Sequence, residues 1–237
     1  MRIAIFSDIH ANLPAFEAFQ KHIATQNVDK MYCLGDLVGY NIWPKEIINF
    51  FIQNDIPCVL GNHDEAQRFL DREGEHSNRS ITKSYLSKKH LDYLLALPRK
   101  IEFTEQNARC LLVHGSTKAI NDYLVEDYPE KEVISMITEN DADILFCGHT
   151  HKPYHRIITD NGNYLHVVNV GSIGKPKDGN SQGCYAILTI DNTYRSDKSD
   201  SLQIEFKRFD YDIKKAADAI LKSEFEDRFA DLLFQAK

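Results

Sequence analysis

Apolar runs and helical spacing alternate through the first third of the chain, in the order strand, helix, strand, helix, strand. The two segments that begin at Pro14 and Pro44 carry apolar residues three and four positions apart, and proline suits the first turn of a helix. The runs between them are continuously apolar, as in strands that are covered on both faces. This order predicts a parallel sheet with right-handed crossovers. The predicted strands are residues 2–6, 31–34 and 58–60.

The rest of the chain is richer in strands. Residues 65–97 have helical spacing, with a break or loop predicted over residues 71–80, where charges and a glycine collect. Another helix is predicted over residues 130–139, and an amphipathic C-terminal helix begins at Ile213 and continues its apolar face beyond Phe225. The later strands are predicted at residues 100–104, 109–113, 144–147, 155–159, 164–170, 184–190 and 202–209, with a hairpin turn at 160–163.

Composition and charge are those of an ordinary globular protein. Of the 237 residues, 43% are hydrophobic and 27% are charged, and no internal repeat or linker divides them, so a single domain of residues 1–237 is predicted. No apolar run approaches the roughly 20 residues that cross a bilayer. The N-terminal segment is too short for a signal peptide, so a cytoplasmic location is expected. Five cysteines without a Cys-x-x-Cys pair predict buried core residues: Cys33, Cys58, Cys110, Cys147 and Cys184.

The net charge of −7 helps to distinguish between the possible binding partners of the protein. Proteins that bind nucleic acid through its phosphates usually carry a cluster of basic residues, and none is visible in this sequence. A nucleic acid partner is therefore disfavoured, and no membrane partner is expected. A small anionic substrate stays compatible with the charge, because bound metal ions can supply local positive charge.

Residues that can bind metal follow five of the predicted strands, and half of the ten histidines lie there. In open α/β sheets the carboxyl ends of strands are where sites are built. Imidazole and carboxylate together suit zinc, iron or manganese. Asp8 and His10 are two residues apart, so on extended backbone they would point to one side and hold one ion, whereas His149 and His151 could diverge toward two ions in a turn. The motifs are Asp8-Ile9-His10, Gly35-Asp36-Leu37-Val38-Gly39, Gly61-Asn62-His63-Asp64, His114-Gly115 and Gly148-His149-Thr150-His151.

The set Asp-x-His, Gly-Asp-x-x-Gly, Gly-Asn-His-Asp, His-Gly and Gly-His-Thr-His resembles that of the calcineurin-like metallophosphoesterase superfamily, in the same order. The chain resembles in particular the small bacterial and archaeal phosphodiesterase branch. The resemblance implies an α/β fold, namely a four-layer α/β/β/α sandwich of two mixed sheets flanked by helices. It also implies hydrolysis of a small phosphoester by a hydroxide that bridges two divalent or transition metal ions (manganese, iron, zinc or nickel) and attacks phosphorus.

The resemblance implies a role for each motif residue as well. His63 corresponds to a histidine that is not a ligand but lies near the substrate, where it would stabilise phosphoryl charge and could protonate the leaving group. The remaining positions correspond to metal ligands. One metal has Asp8, His10 and His151, the second has Asn62, His114 and His149, and Asp36 bridges both.

Three further residues have two interpretations each. Asp64 either orients His63 for catalysis or begins the next helix, since acidic residues favour helix N-termini. Asn12 is favoured as a helix cap over a substrate contact. Lys177 follows an Asn-x-Gly-Ser sequence that resembles a loop near the active site of the small phosphodiesterases, so it either binds phosphate or lies in a solvated turn.

The segment 65–97 is predicted to lie beside the active site. Arg79 and Lys83 are four residues apart on its helical part, where a solvated charged face is favoured over an anion receptor. The aromatic residues Tyr40, Trp43 and Phe69 either pack a substrate base or fill space, and the sequence does not separate these two roles.

Two departures from the family pattern argue against two of the activities found in this superfamily. Protein phosphatases and symmetrical dinucleoside tetraphosphate hydrolases typically carry an arginine soon after the bridging aspartate, where this chain has Gly-Tyr-Asn at residues 39–41. Protein phosphatases also have an acidic residue where Gly39 stands, so both activities are disfavoured. Two alternatives stay open: a non-catalytic metal-binding scaffold of the same fold, which the presence of His63 disfavours, and a nuclease, which the acidic charge disfavours.

Overall fold

The computed structural model describes residues 1–69 and 77–237, which contain two mixed β-sheets. The strands in these residues are β1 (Arg2–Phe6), β2 (Lys30–Cys33), β3 (Lys100–Glu105), β4 (Ala108–Val113), β5 (Ile144–Cys147), β6 (Tyr154–Asp160), β7 (Asn163–Asn169), β8 (Gly183–Ile190) and β9 (Leu202–Phe209). One sheet has the order β2-β1-β8-β9 and the other β3-β4-β5-β7-β6. The pairs β1–β2, β4–β5 and β5–β7 are parallel, and the remaining pairs are antiparallel.

Helices lie between these strands and after them. In the described residues no helix is both long and apolar enough to cross a membrane. The helices are α1 (Leu13–Ile23), α2 (Pro44–Asn54), α3 (Asn62–Ala66), α4 (Asn78–Ser84), α5 (Lys88–Ala96), α6 (Glu130–Thr138), α7 (Ile213–Ile220) and α8 (Arg228–Gln235).

Strand β1 shows how the layers pack, because its side chains alternate between two cores. Ile3 and Ile5 lie in the apolar layer between the two sheets, together with Phe146 of β5. Ala4 and Phe6 face the other way, into the core formed with α1 and α2. A third core joins α6 to the outer face of the second sheet. The predicted four-layer α/β/β/α arrangement of two mixed sheets is therefore confirmed, and all five cysteines are buried and unpaired.

The predicted strand at residues 58–60 is reduced to one parallel bridge between Cys33 and Cys58. The amide of Val59 still donates to the carbonyl of Cys33, at 3.0 Å. The next amide, that of Leu60, donates instead to the carbonyl of Pro98, at 2.7 Å. The chain therefore leaves the sheet after one residue, and the apolar run did not reveal this competing partner.

Segment 65–97 contains several short helices rather than one helix with one break. The predicted break is too long at its C-terminal end, since α4 already begins at Asn78 and Ser77 caps it by accepting the amide of Ser80, at 3.2 Å. Residues 71–76 of the predicted break lie outside the described residues. A second interruption separates α4 from α5, where the amide of Ser87 donates to Nδ1 of His90, at 3.1 Å.

The C-terminal amphipathic helix is also divided, into α7 and α8. Ser223 explains the division, because its hydroxyl donates to the carbonyl of Ile220 at 2.6 Å and accepts the amide of Phe225 at 3.1 Å. These bonds replace the helical ladder at this point. The predicted apolar face is interrupted at Leu221, which is 51% exposed.

Candidate metal centre

Five of the candidate ligands have left-handed backbone conformations just after strands. The φ angle is 57° at Asp8, 50° at His10, 54° at Asp36, 62° at His149 and 59° at His151. Residues other than glycine adopt this region at a cost of about 1–3 kcal/mol, which the surroundings must offset. The amides of Asp8 and His10 donate to carbonyls in the loop after β2, at 3.0 and 2.9 Å. The expectation of extended backbone at these two residues is therefore wrong, although their side chains still converge.

The first cluster consists of Asp8, His10 and His151, all buried. Oδ1 of Asp8 lies 3.0 Å from Nε2 of His151 and 3.5 Å from Nε2 of His10. The two Nε2 atoms lie 3.1 Å from each other. Three atoms that can bind a metal thus converge, although the residues come from the loops that follow β1 and β5.

The second cluster consists of Asp36, His114 and His149, also buried. Nε2 of His114 lies 3.3 Å from Oδ2 of Asp36 and 3.0 Å from Oδ1 of Asn62. The same Oδ2 atom of Asp36 lies 3.7 Å from Nε2 of His10 in the first cluster. The carboxylate of Asp36 therefore stands between the two clusters.

Hydrogen bonds on the outer side of each imidazole fix the orientation of three rings. The Nδ1 atoms of His10 and His114 donate to the carbonyls of Val38 and Leu34, at 3.0 and 2.7 Å. The Nδ1 atom of His151 donates to the carbonyl of Lys175. Carbonyl groups accept only, so these contacts assign a proton to each Nδ1 atom and turn Nε2 toward the cluster.

The donor atoms inside the clusters fit cations. With protons on both Nδ1 atoms, His10 and His151 direct two lone pairs at each other across 3.1 Å, an arrangement that a positive ion would stabilise. Asp8 Oδ1, Asp36 Oδ2 and His149 Nε2 are buried and have no hydrogen-bond partner among the described residues. Buried polar atoms normally have partners, so their convergence points to a bound metal. The imidazole and carboxylate set suits divalent transition metals.

The electrostatics of the clusters agree with this fit. Burial opposes ionisation of Asp8, yet the nearby His151 holds the pKa of its carboxyl well below the usual range. Burial also opposes ionisation of Asp36, but His114 keeps the pKa of that carboxyl low. Burial would lower the pKa of His114, but Asp36 outweighs it and raises this pKa to about 10. Both carboxylates are therefore anionic at neutral pH, and a cation would replace the proton on His114.

His63 borders both clusters. One of its ring nitrogens lies within 4.8 Å of donor atoms of His10 and Asp36, and its ring centroid lies 4.7 Å from that of Tyr40. A Cβ atom on Gly39 would stand 2.6 Å from Nδ1 of His63, and Gly39 has φ +94°, so glycine is required here. Burial lowers the pKa of His63 to about 4, so the ring is neutral at neutral pH.

Asp64 binds backbone rather than the ring of His63. Its Oδ1 atom accepts the amides of Leu37 and Val38 at 3.0 and 3.2 Å, and Oδ2 accepts the amide of Gly61 at 3.1 Å. The fully buried carboxylate thus ties the loop after β2 to the start of α3. Of the two interpretations, the geometry favours the helix start, and a catalytic role for Asp64 gains no support.

Asn12 is the cap of α1. Its Oδ1 atom accepts the amide of Ala15 at 3.2 Å, and its Nδ2 atom donates to the carbonyl of Gly174 at 2.8 Å. The side chain is fully buried, with both ends engaged. This geometry favours the cap over a substrate contact.

Lys177 lies close to the clusters. Its own amide donates to the carbonyl of His151 at 3.4 Å. Burial lowers the pKa of its ammonium group, whereas the negative charges of Asp8 and Asp36 act to raise it. The ammonium group is thus half-buried within reach of the field of both carboxylates, which a residue in a fully solvated turn would not be.

The helix that carries Arg79 and Lys83 borders Tyr40. Oδ1 of Asn78, at the start of α4, accepts the amide of Tyr40 at 3.0 Å. Lys83 donates to the carbonyl of Phe69 at 2.7 Å, which favours a surface role for it, and Arg79 is half-buried.

The three aromatic candidates have different surroundings in the structure. The ring centroid of Tyr40 lies 4.8 Å from that of His10 and 5.2 Å from that of Phe229. Trp43 packs against the core of α7 and α8, and Phe69 is 55% exposed. Tyr40 therefore contacts the candidate ligands, whereas Trp43 fills space.

Tyr123 lies beside the second cluster although no sequence motif contains it. Its ring centroid lies 4.4 Å from that of His149, at the edge of the second cluster. It follows His114 by nine positions in an irregular segment, and no motif or periodicity distinguishes it there. An aromatic residue in the segment that follows the His114-Gly115 motif is the signal that the sequence offered.

The fold and the clusters define an α/β protein with a candidate metal site at the carboxyl ends of its strands. Residues 1–193 match the model of the calcineurin-like phosphoesterase superfamily domain, and the chain belongs to this superfamily. It is 31% identical over 252 aligned positions to the uncharacterized protein MJ0912 of Methanocaldococcus jannaschii, which covers 98% of this chain and 97% of that protein. The family and the clustered ligands support a metal-dependent phosphoesterase.

Two solved structures share the whole fold. A metallophosphoesterase from Sphaerobacter thermophilus superposes with a TM-score of 0.81 at 26% identity, covering 100% of this chain and 99% of that chain. The hypothetical protein PH1004 from Pyrococcus horikoshii superposes with a TM-score of 0.79 at 19% identity, covering 100% and 98% of the two chains. The second match concerns the fold, since its identity is low.

Proposed function

We propose that this chain is a binuclear metal-dependent hydrolase of small phosphoesters, either a phosphodiesterase or a phosphatase, with residues 1–237 as one functional domain. The observation that carries the proposal is the position of Asp36. Its Oδ2 atom lies 3.3 Å from Nε2 of His114 and 3.7 Å from Nε2 of His10, and it has no hydrogen-bond partner among the described residues. One carboxylate oxygen between two clusters suits a ligand shared by two ions.

Each cluster would hold one of the two ions. The outer oxygens of the two carboxylates are occupied by backbone, since Oδ2 of Asp8 accepts the amide of His149 at 3.0 Å and Oδ1 of Asp36 accepts the amide of His63 at 2.8 Å. The inner oxygens are therefore left for metal. The proposed ligands are Asp8, His10 and His151 for one ion, Asn62, His114 and His149 for the other, and Asp36 for both.

Two divalent ions bound here, whether manganese, iron, zinc or nickel, supply Lewis acid chemistry that activates water and stabilises charge on a phosphoryl group. The chain itself contributes substrate binding beside them. Neutral His63 can donate one hydrogen bond to a phosphoryl oxygen, and this role fits its lowered pKa better than protonation of the leaving group at neutral pH. Lys177 adds a positive charge near the anionic substrate, as a point charge rather than a bidentate fork.

The position of His63 supports an enzyme over a non-catalytic scaffold of the same fold. A scaffold needs no polar ring beside the metals, whereas a hydrolase benefits from a donor that touches the phosphoryl group. His63 is half-buried, and its contacts with Gly39 and Tyr40 orient the ring.

Metal content and cleavage of bis(p-nitrophenyl) phosphate test the proposal together. The protein is purified without chelators, its metals are counted by mass spectrometry, and turnover is measured with manganese, nickel and zinc before and after chelation. We expect two ions per chain and activity that disappears on chelation and returns with metal. Activity that survives chelation would overturn the metal mechanism, and two bound ions without cleavage of any ester would indicate the scaffold.

A matched pair of variants makes this test specific. Asp36→Asn keeps the size of the side chain and the oxygen that accepts the His63 amide, but it weakens the shared ligand. We expect fewer than two ions and at least about 100-fold lower turnover, since the metals supply several kcal/mol of the catalysis. Asp143→Asn removes another buried carboxylate, one that pairs with Arg109 at 2.7 Å, and should keep both ions.

A further inference from the structure

The loop between β4 and α6 is held firmly on both sides of Tyr123. The carboxylate of Asp122 accepts the hydroxyl groups of Ser116 and Tyr128, at 2.6 and 3.2 Å. Leu124 is buried, and its carbonyl accepts the hydroxyl group of Tyr154 at 2.9 Å. The residues before and after Tyr123 are therefore anchored by the fold, which sets the backbone position of Tyr123.

The start of the same loop is packed tightly. A Cβ atom on Gly115 would stand 2.5 Å from the carbonyl oxygen of Ile120, 2.8 Å from that of Ala119 and 2.9 Å from that of Asp122. The chain after His114 therefore folds back on itself and brings Tyr123 to the metal ligands.

The side chain of Tyr123 stands at the mouth of the second cluster. Its ring centroid lies 4.4 Å from that of His149, with the planes tilted by 54°. Even so, 57% of Tyr123 is exposed. A single exposed aromatic residue is ordinary in itself. What distinguishes Tyr123 is that a fixed loop holds this open ring against a proposed metal ligand.

Tyr40, on the side of the first cluster, offers no comparable surface. Its ring lies between those of His10, His63 and Phe229, with centroids 4.8, 4.7 and 5.2 Å away. The ammonium group of Lys175 stands 5.0 Å from its centroid. Tyr40 is thus packed among protein groups, whereas more than half of Tyr123 is open to solvent beside His149.

We propose that Tyr123 is a stacking platform for the organic group of the substrate, and that it selects phosphoesters whose organic group is a flat aromatic ring. This inference rests on the proposed function, because the phosphoryl group must bind at the two ions for its substituent to reach Tyr123. Stacked or tilted aromatic pairs gain energy beyond the burial of surface, so a planar ring should bind better than an aliphatic ring of equal carbon number.

Phenylphosphonate and cyclohexylphosphonate distinguish stacking from simple apolar contact. Each has one phosphonate group and six ring carbons, but only the first ring is flat. Their dissociation constants are measured by calorimetry on the full chain loaded with manganese, so the result does not depend on turnover. We expect wild type to prefer phenylphosphonate, and Tyr123→Leu to weaken phenylphosphonate by about tenfold while cyclohexylphosphonate changes less than twofold. Tyr123→Phe should keep the preference.

The controls separate this inference from the proposed function and from a structural role. Phe234→Leu removes an aromatic residue of α8 that is 56% exposed, and it should change neither constant. Equal weakening of both ligands by Tyr123→Leu, or no change in either, would overturn the platform. Loss of a metal ion in Tyr123→Leu would overturn it too, since the ring would then serve to support His149. A chain that binds phenylphosphonate as expected but cleaves no ester would contradict the proposed function and leave the platform standing.

Discussion

Two pairs of histidines meet in this protein, in different surroundings. His10 and His151 face each other through Nε2 atoms 3.1 Å apart, and the Nδ1–H group of each ring donates a hydrogen bond to a backbone carbonyl. His155 and His166, on β6 and β7, meet through Nε2 and Nδ1 at 2.9 Å. In the second pair one ring donates and the other accepts, so the contact is satisfied. In the first pair both facing atoms are acceptors.

The carboxylates near the two pairs differ in the same way. Asp8 places its Oδ1 atom, which accepts no hydrogen bond from the part of the chain that the structure describes, 3.0 Å from Nε2 of His151. Asp143, the acidic residue whose charge acts on His166, uses its oxygens on the guanidinium group and amide of Arg109. The facing acceptor atoms and the nearby carboxylate oxygen thus distinguish the first pair, the candidate metal site, from the second pair, whose contacts are satisfied.

The largest expected difference between the pairs concerns activity and metal content. His151→Gln should lose one ion and reduce turnover roughly 1,000-fold, because a metal contributes several kcal/mol to transition-state stabilisation. His166→Gln should keep both ions and change turnover less than about threefold. Metal analysis and hydrolysis of an aryl phosphodiester check both variants. Equal losses in the two variants would contradict the distinction between the pairs.

The second-largest expected effect is a loss of stability when the metal is removed. At a metal concentration about 1,000 times the dissociation constant, binding to the folded chain adds about 4 kcal/mol to the free energy of unfolding. Urea unfolding with and without a chelator measures this difference. In His151→Gln the difference should shrink, whereas in His166→Gln it should equal that of wild type. An unchanged unfolding curve after complete metal removal would contradict the proposed role of the first pair.

His63 tests whether every imidazole near the first pair is a ligand. Its ring centroid lies 5.0 Å from that of His10. Because we propose that it binds substrate, His63→Gln should lower turnover about 100-fold and leave two ions bound. The control is His22→Gln, at a half-buried histidine of α1 that forms a hydrogen bond with Tyr185 of β8. If His63→Gln lost an ion, His63 would be a ligand instead.

The smallest effect concerns the pH dependence of the second pair. Burial lowers the pKa of His166 to about 4 from an ordinary 6.5. The folded chain thus binds fewer protons than the unfolded chain between these values, so stability is present above pH 6.5 and is lost as the pH falls toward 4. Between pH 7 and pH 5 this residue should cost about 2 kcal/mol of unfolding free energy. Denaturant curves at pH 7 and pH 5 measure the free energy of unfolding of metal-free wild type and of His166→Gln. Between these pH values the free energy should fall by about 2 kcal/mol more in wild type than in the variant. An equal fall in both would show that His166 does not change its protonation on unfolding.

The sequence predicted most strands correctly, because a strand that packs against a core on each face is apolar at nearly every position. In β1 every residue from Ile3 to Phe6 is buried, which explains the continuous apolar run. The errors fall where a single distant or local hydrogen bond decides the outcome. The carbonyl of Pro98 removes Leu60 from the sheet, and the hydroxyl group of Ser223 divides the C-terminal helix. Apolar periodicity carries no information about such partners.

The sequence by itself determined the residue types, their order after the strands and, through them, the superfamily. Only the tertiary structure decided how these residues face one another. The first cluster joins residues more than 140 positions apart, and their backbone conformations are left-handed rather than extended. The proton positions depend on the carbonyls of Val38, an unspecified position within its motif, and of Lys175, which lies outside the motifs. The physical reason is that the hydrogen bond on the outer nitrogen of each imidazole decides which ring nitrogen is free to bind a metal. The partners in these hydrogen bonds come from loops that meet only when both sheets have formed.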